Sequence, residues 1–192
     1  VTGAAYSEAL QACLSRQQAT GALLTHAYDQ PEVVVGAGTL GHEIEAQGGL
    51  PDRVLVSVGG GGLIAGVASW FGQRSRVVAL EPELAPTLFQ ARAAGQPVDV
   101  AVGGVAADSL GARRIGDIAW QVTQREVRDA LVLPDAAIRS AQQWLWKELK
   151  LAVEPAAALG LAALQTGAYA VTSGERVCLI LCGANLDPAS LA

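Results

Sequence analysis

Apolar positions along the chain alternate between short continuous runs and stretches with helical spacing. Over 5–19, Ala5, Leu10, Cys13 and Leu14 fall near one face and Gly21 ends the run, which predicts a helix. A loop, THAYDQPE, follows. VVVGAGTLGHEIEAQ, 33–47, passes from apolar to polar and predicts a helix closing at Gly48 and Gly49. The β-branched run 53–58 has the composition of a buried parallel strand. A helix over 62–71, a strand over 76–80 and a helix over 87–94 come next, and 99–116 is loop-like. The pattern assigns 117–122 to a strand and makes Thr123, in TQRE, the start of a capping box. Pro134 and Asp135 open a long helix through Leu149, Pro155 opens an alanine-rich helix to about Tyr169, and 176–181 is a last buried strand. This alternation predicts an α/β fold, an open, mostly parallel sheet with helices on both faces. The crossover from 53–58 to 76–80 is expected to be right-handed.

One junction stands out. SVGGGGLIAG, 57–66, sets four consecutive glycines between an apolar strand and an apolar helix. Glycine loses more backbone entropy on folding than any other residue, so the run needs a reason. Ligands of open α/β sheets bind beyond the carboxyl ends of the strands. There, bare amides from Gly59 to Gly62 can point at a phosphate, and the helix start adds partial positive charge. The alternative is a glycine-rich turn where helix packs tightly on strand. The run is neither G-x-x-x-x-G-K-[ST] nor a G-x-G-x-x-G followed by an acidic residue at ribose-binding spacing, which disfavours a nucleotide-binding domain. A cup this compact suits one terminal phosphate, as on pyridoxal phosphate.

Composition narrows the partners. Of 192 residues, 51% are hydrophobic and 16% charged, and the net charge of −5 forms no basic stripe, so nucleic acid and anionic membrane are poor partners. The uncharged stretches 54–73 and 155–174 are broken by the glycine run and by Gln165, Thr166, Gly167, Thr172 and Ser173, so no transmembrane segment is expected. Cys13, Cys178 and Cys182 have no framework spacing and fit reduced thiols; with no signal peptide visible in VTGAAYSEAL, a cytoplasmic location is expected. His26 and His42 lie in no triad or ligand set and read as structural or surface residues. The pair Arg113 and Arg114 reads as solvated.

The motifs resemble, in order, those of the fold-type II pyridoxal phosphate enzymes, the group of threonine and serine dehydratases, serine racemase and the tryptophan synthase β chain. SVGGGGLIAG is similar to their phosphate loop, and HAYDQPEVVVGAGTLGHEI, VVALEPE, GGVAADSLGARRIG, WLWKELKLAVEPAAALGLAAL and LILCGANLDP resemble flanking dehydratase segments. The resemblance implies that Gly59, Gly60, Gly61, Gly62 and Leu63 hold the cofactor phosphate through backbone amides. It places Cys182 where the family hydrogen-bonds the pyridine nitrogen, and Glu154 beside the cofactor ring. Without the resemblance, Cys182 reads as a small buried apolar residue. Glu81 and the carbonyl of Ala85 match part of a cation site, by which the resemblance implies a monovalent or divalent cation, but the third family ligand, an aspartate, is replaced by Thr87. Ser109 stands where several relatives have glycine.

The family's chemistry needs a Schiff-base lysine. The two lysines, Lys147 and Lys150, lie in WLWKELKL, where solvated heads with packed stems are expected. The family's S-x-G-N-H loop for the substrate carboxylate is absent as well. The resemblance therefore implies the carboxyl-terminal part of a threonine/serine ammonia-lyase, with 1–25 the end of a small domain and 26–192 a large cofactor-binding domain. By that reading a missing amino-terminal segment carries the lysine, the chain alone is inactive, and no regulatory domain follows LDPASLA. The substrate is a small hydroxy-amino acid and a homo-oligomer is expected. The alternative is a non-catalytic module binding pyridoxal phosphate or another phosphate ligand.

Overall fold

A computed structural model describes residue 3 and residues 6–191. Along the chain run α1 (Tyr6–Thr20), α2 (Pro31–Gly48), β1 (Arg53–Ser57), α3 (Gly62–Phe71), β2 (Arg76–Pro82) and α4 (Thr87–Ala94). Then come α5 (Asp117–Glu126), β3 (Val127–Leu133), α6 (Asp135–Leu149), α7 (Pro155–Gln165) and β4 (Val177–Leu179). Ala5, which the pattern puts in the first helix, lies outside the described residues.

The four strands form one parallel sheet in the order β3-β2-β1-β4. Successive side chains of a strand point to opposite faces, so each inner strand feeds two cores. Val54, Val56, Val77 and Ala79 pack on one side with residues of α2, α3, α4 and α5. Leu55, Val78 and Leu80 pack on the other with α6 and α7. Burying one such Val or Leu is worth about 1.5–3 kcal/mol, more than the spread of intrinsic propensities, so the two cores decide where elements form. Among the described residues, α1 adds no side chain to either core. No helix among the described residues is long and apolar enough to cross a membrane.

Three expectations are corrected. Residues 117–122 are not a strand but the start of α5, whose buried Ala119, Val122 and Thr123 follow helical spacing. Thr123 is therefore no helix cap; its hydroxyl donates to the Ala119 carbonyl one turn back, at 2.7 Å. The cap of α5 comes from far away, because the Asp29 carboxylate accepts the amides of Asp117 and Ile118, each at 3.0 Å. The strand forms instead at VRDALVL, where β3 pairs with β2 at the sheet edge. Its Asp129 is half-buried and paired with Arg76 at 2.7 Å, a polar edge residue that hides the strand from a purely apolar reading. The alanine-rich helix also ends earlier than expected, at Gln165.

Candidate active site

β1 continues into β2 and β3 on one side of the sheet, and the chain returns on the other side as β4. Between β1 and β4 the strand order reverses, and in open α/β sheets the crevice beyond that point is the binding site. A cavity of about 1050 Å³ opens there. The glycine run 59–62 and Leu63 line it from the end of β1, and Cys182 and Glu154 line it from the β4 side. Tyr28 and the loop 107–113, which carries Ser109 and Arg113, complete the wall.

The carbonyls of the run are turned into the protein. Gly59 accepts the Thr87 hydroxyl at 2.6 Å, Gly60 the Gly116 amide at 2.9 Å, and Gly61 the Ala65 amide at 2.9 Å. Among the described residues, no protein acceptor takes the amides of Gly60, Gly61, Gly62 or Leu63. A trans peptide points its carbonyl and its N–H in opposite directions, so fixing each carbonyl inward turns the next amide outward. Gly61 is left-handed, at φ 91° and ψ 0°, a turn that a Cβ would strain. Successive amides around such a residue form a concave anion nest at the start of α3.

The structure adds a second reason for the glycines. A Cβ on Gly60 would overlap the Tyr28 ring, one on Gly61 would come within 2.5 Å of the Ala119 side chain, and one on Gly62 within 2.8 Å of the Tyr28 carbonyl. Close packing and open amides thus make the same demand of these positions.

Across the cavity, Glu154 immediately precedes α7 and braces the segment after Cys182. Its amide donates to the Gly183 carbonyl at 3.1 Å, its Oε2 accepts the Asn185 amide at 3.2 Å, and its carboxylate abuts Gly183 where a Cβ would stand. Cys182 is exposed on the cavity wall rather than buried as a small apolar residue, and partial desolvation there, then the Glu154 carboxylate, push its thiol up from its ordinary range. Cys182 is thus held as a neutral thiol, a weak donor. Ser57 ties the end of β1 to α7, donating to the Ala156 carbonyl at 2.6 Å.

Other candidates fall elsewhere. His26 is structural: its Nδ1 accepts the amides of Tyr28 and Asp29 at 3.2 and 2.9 Å, which aims the Tyr28 ring at the run. His42 stacks edge-on against Trp70. Lys147 and Lys150 are exposed and away from the cavity; Lys150 Nζ donates to the Lys147 carbonyl at 2.6 Å. No lysine lines the cavity among the described residues. Arg113 reaches the cavity wall, whereas Arg114 faces Asp99 at 3.8 Å. Sequence reasoning missed Tyr28 and Asp29 as parts of the site, although both lie in the HAYDQPE segment it singled out. Their partners are far along the chain, and no spacing rule reaches that far.

Comparison with known proteins agrees with this geometry. A family model described as pyridoxal-phosphate dependent enzyme matches residues 1–183. A phenylserine dehydratase of Ralstonia pickettii is 37% identical over 175 residues, covering 90% of this chain and 54% of the relative. The biosynthetic L-threonine dehydratase IlvA of Escherichia coli is 36% identical over 96% of this chain, which spans 37% of that protein. The solved structure of maize serine racemase superposes with a TM-score of 0.88 at 31% identity, covering 99% of this chain and 60% of that one. The chain thus spans between roughly a third and three fifths of these proteins' lengths. Its matched length and its open-amide cradle at the switch point place it together with them: the chain belongs to the pyridoxal-phosphate-dependent enzyme family.

Proposed function

We propose that this chain is the cofactor-holding, carboxyl-terminal part of a threonine/serine ammonia-lyase, with 26–192 its large domain and 1–25 the end of a small one. The observation that carries the reading is the row of outward amides from Gly60 to Leu63, facing Cys182 across one cavity. The cradle fits pyridoxal phosphate: four amides without protein partners suit a phosphate dianion, and Cβ-free walls let it approach the backbone. When bound, that cofactor supplies the electron sink that lets a hydroxy-amino acid lose its Cα proton and its β-hydroxyl.

The chain's own residues then have distinct tasks. The amides of the run and of Leu63 hold the phosphate. The Cys182 thiol, kept neutral by its surroundings, would donate a weak hydrogen bond to the ring nitrogen of a bound cofactor and keep its proton. Glu154 keeps the 182–185 segment in place and keeps negative charge beside that thiol. The remoteness of Lys147 and Lys150 from the cavity supports a lysine supplied by a further segment, and with it inactivity of this chain alone. The names of the relatives, dehydratases of threonine and phenylserine and racemases of serine, support a small β-hydroxy amino acid as substrate. A cytoplasmic homo-oligomer remains part of the reading, on the free cysteines and the family likeness.

The same lysine-free cavity favours a second reading, a module that binds pyridoxal phosphate without catalysis. Titration of the chain with pyridoxal phosphate and with pyridoxal, followed by borohydride, tests both. Binding that requires the phosphate, with no label fixed by borohydride, is the expected result. Equal affinity for the two compounds would remove the cradle, and stoichiometric label on Lys147 or Lys150 that competes with inorganic phosphate would overturn the lysine-free site. Adding the amino-terminal half of a homologous dehydratase separates the readings: ammonia release from threonine or serine selects the lyase.

A further inference from the structure

Glu81 is a fully buried carboxylate at the end of β2, and no step proposed above uses it. Its Oε1 accepts the Leu88 amide at 2.7 Å and lies 3.1 Å from the Thr87 hydroxyl, and its Oε2 accepts the Phe89 amide at 2.8 Å. Both oxygens are committed to the first turn of α4. The carbonyl of Ala85 accepts the Thr87 amide at 3.1 Å, and Thr87 offers a hydroxyl rather than a third carboxylate. Among the described residues no group of three His, Cys, Asp or Glu side chains is arranged to hold a metal ion. The cation that Glu81 and Ala85 suggest by resemblance does not fit these residues.

Thr87 is itself fully buried and sits between Glu81 and the glycine run. A threonine hydroxyl has one proton, and it goes to the nearer acceptor, the Gly59 carbonyl at 2.6 Å. That bond turns the Gly59 carbonyl into the protein, so the amide of Gly60, on the same planar peptide, faces the cavity. We propose that Thr87, placed by the first turn of α4 that Glu81 holds through the Leu88 and Phe89 amides, is a positioning residue for the anion cradle, and that this side-chain brace works without a cation. The inference rests on the cofactor reading for what the cradle binds, but not for how it is held.

The test compares the whole chain with its Thr87→Val and Thr87→Ser variants by amide NMR, without ligand. Val keeps the volume of Thr and removes the hydroxyl; Ser keeps the hydroxyl. The Gly60 and Gly61 amide resonances should move in T87V and return in T87S. Affinity for pyridoxal phosphate should fall at least tenfold in T87V, affinity for pyridoxal should not change, and T87S should recover most of the loss. Unmoved glycine resonances in T87V would overturn the proposal. So would displacement of the Glu81 or Ala85 resonances by magnesium, calcium or potassium. Should T87V not fold, the wild-type chain decides: a slowly exchanging Thr87 hydroxyl proton is expected, and its absence at low temperature overturns the brace. A wild-type chain that does not discriminate pyridoxal phosphate from pyridoxal defeats the functional reading, while the T87V and T87S spectra still judge the brace.

Discussion

The ring of Tyr28 lies against Gly60, so close that a single added Cβ on the glycine would overlap it. Gly60→Ala is therefore expected to destabilise the fold by about 1–3 kcal/mol through overpacking. Removing the ring as well, in Tyr28→Ala with Gly60→Ala, should cost less than the sum of the single changes, since the ring is what the new methyl meets. Urea denaturation of the four proteins measures the coupling. If Gly60→Ala leaves stability intact and lowers only cofactor affinity, phosphate access alone explains that glycine.

Asp29 caps a helix whose sequence is far from its own. Asp29→Ala should cost about 0.5–2 kcal/mol, because it strips the acceptor from the amides of Asp117 and Ile118, and Asp29→Asn should retain much of the cap. The effect should reach the site as well, since the Gly116 amide, just before α5, holds the Gly60 carbonyl. Urea midpoints read the first effect, and pyridoxal phosphate titration reads the second.

Glu81 should make stability depend on pH. Desolvation by burial is the largest influence and raises its carboxyl to about 7, against the amides of Leu88 and Phe89 and the Arg92 guanidinium, which pull it down. The folded form binds the proton more tightly than the unfolded chain, so the contribution is fully present below about pH 4.5 and is lost as pH rises through about 7. The span amounts to about 3 kcal/mol at most. Urea midpoints of the chain and of Glu81→Gln across pH 4.5 to 8 check this; the wild-type contribution should fall with pH, and that component should vanish in the variant.

The raised Cys182 thiol should show in its chemistry. The thiolate is the reactive form, so Cys182 should be alkylated slowly at neutral pH although it opens onto the cavity, and faster as pH increases. Glu154→Gln removes a neighbouring negative charge and should speed the reaction at fixed pH. Mass mapping of iodoacetamide adducts keeps Cys182 distinct from Cys13, which is exposed as well, and from Cys178, whose thiol burial raises. An unchanged rate in Glu154→Gln would mean that burial alone sets the thiol.

What the sequence determined by itself was whatever repeats locally. The strand at 53–58, the helix at 62–71 and the strand after it follow from apolar runs, helical spacing and glycine punctuation, and the structure reproduces them within a residue or two. The glycine run marked the site for the same reason, since four bare residues after a buried strand are conspicuous in one dimension. Residues 117–133 were misread because their evidence is not local. α5 is capped by a carboxylate 88 residues upstream of Asp117, and β3 carries Arg128 and Asp129 in a strand that only pairing with β2 and an ion pair to Arg76 make favourable. Tertiary structure alone decided which atoms demand the glycines, what holds their carbonyls and that Glu81 serves α4 and Thr87. Periodicity records the face an element buries. Contacts between distant segments depend on where the packed sheet brings those faces together, and no local pattern encodes that.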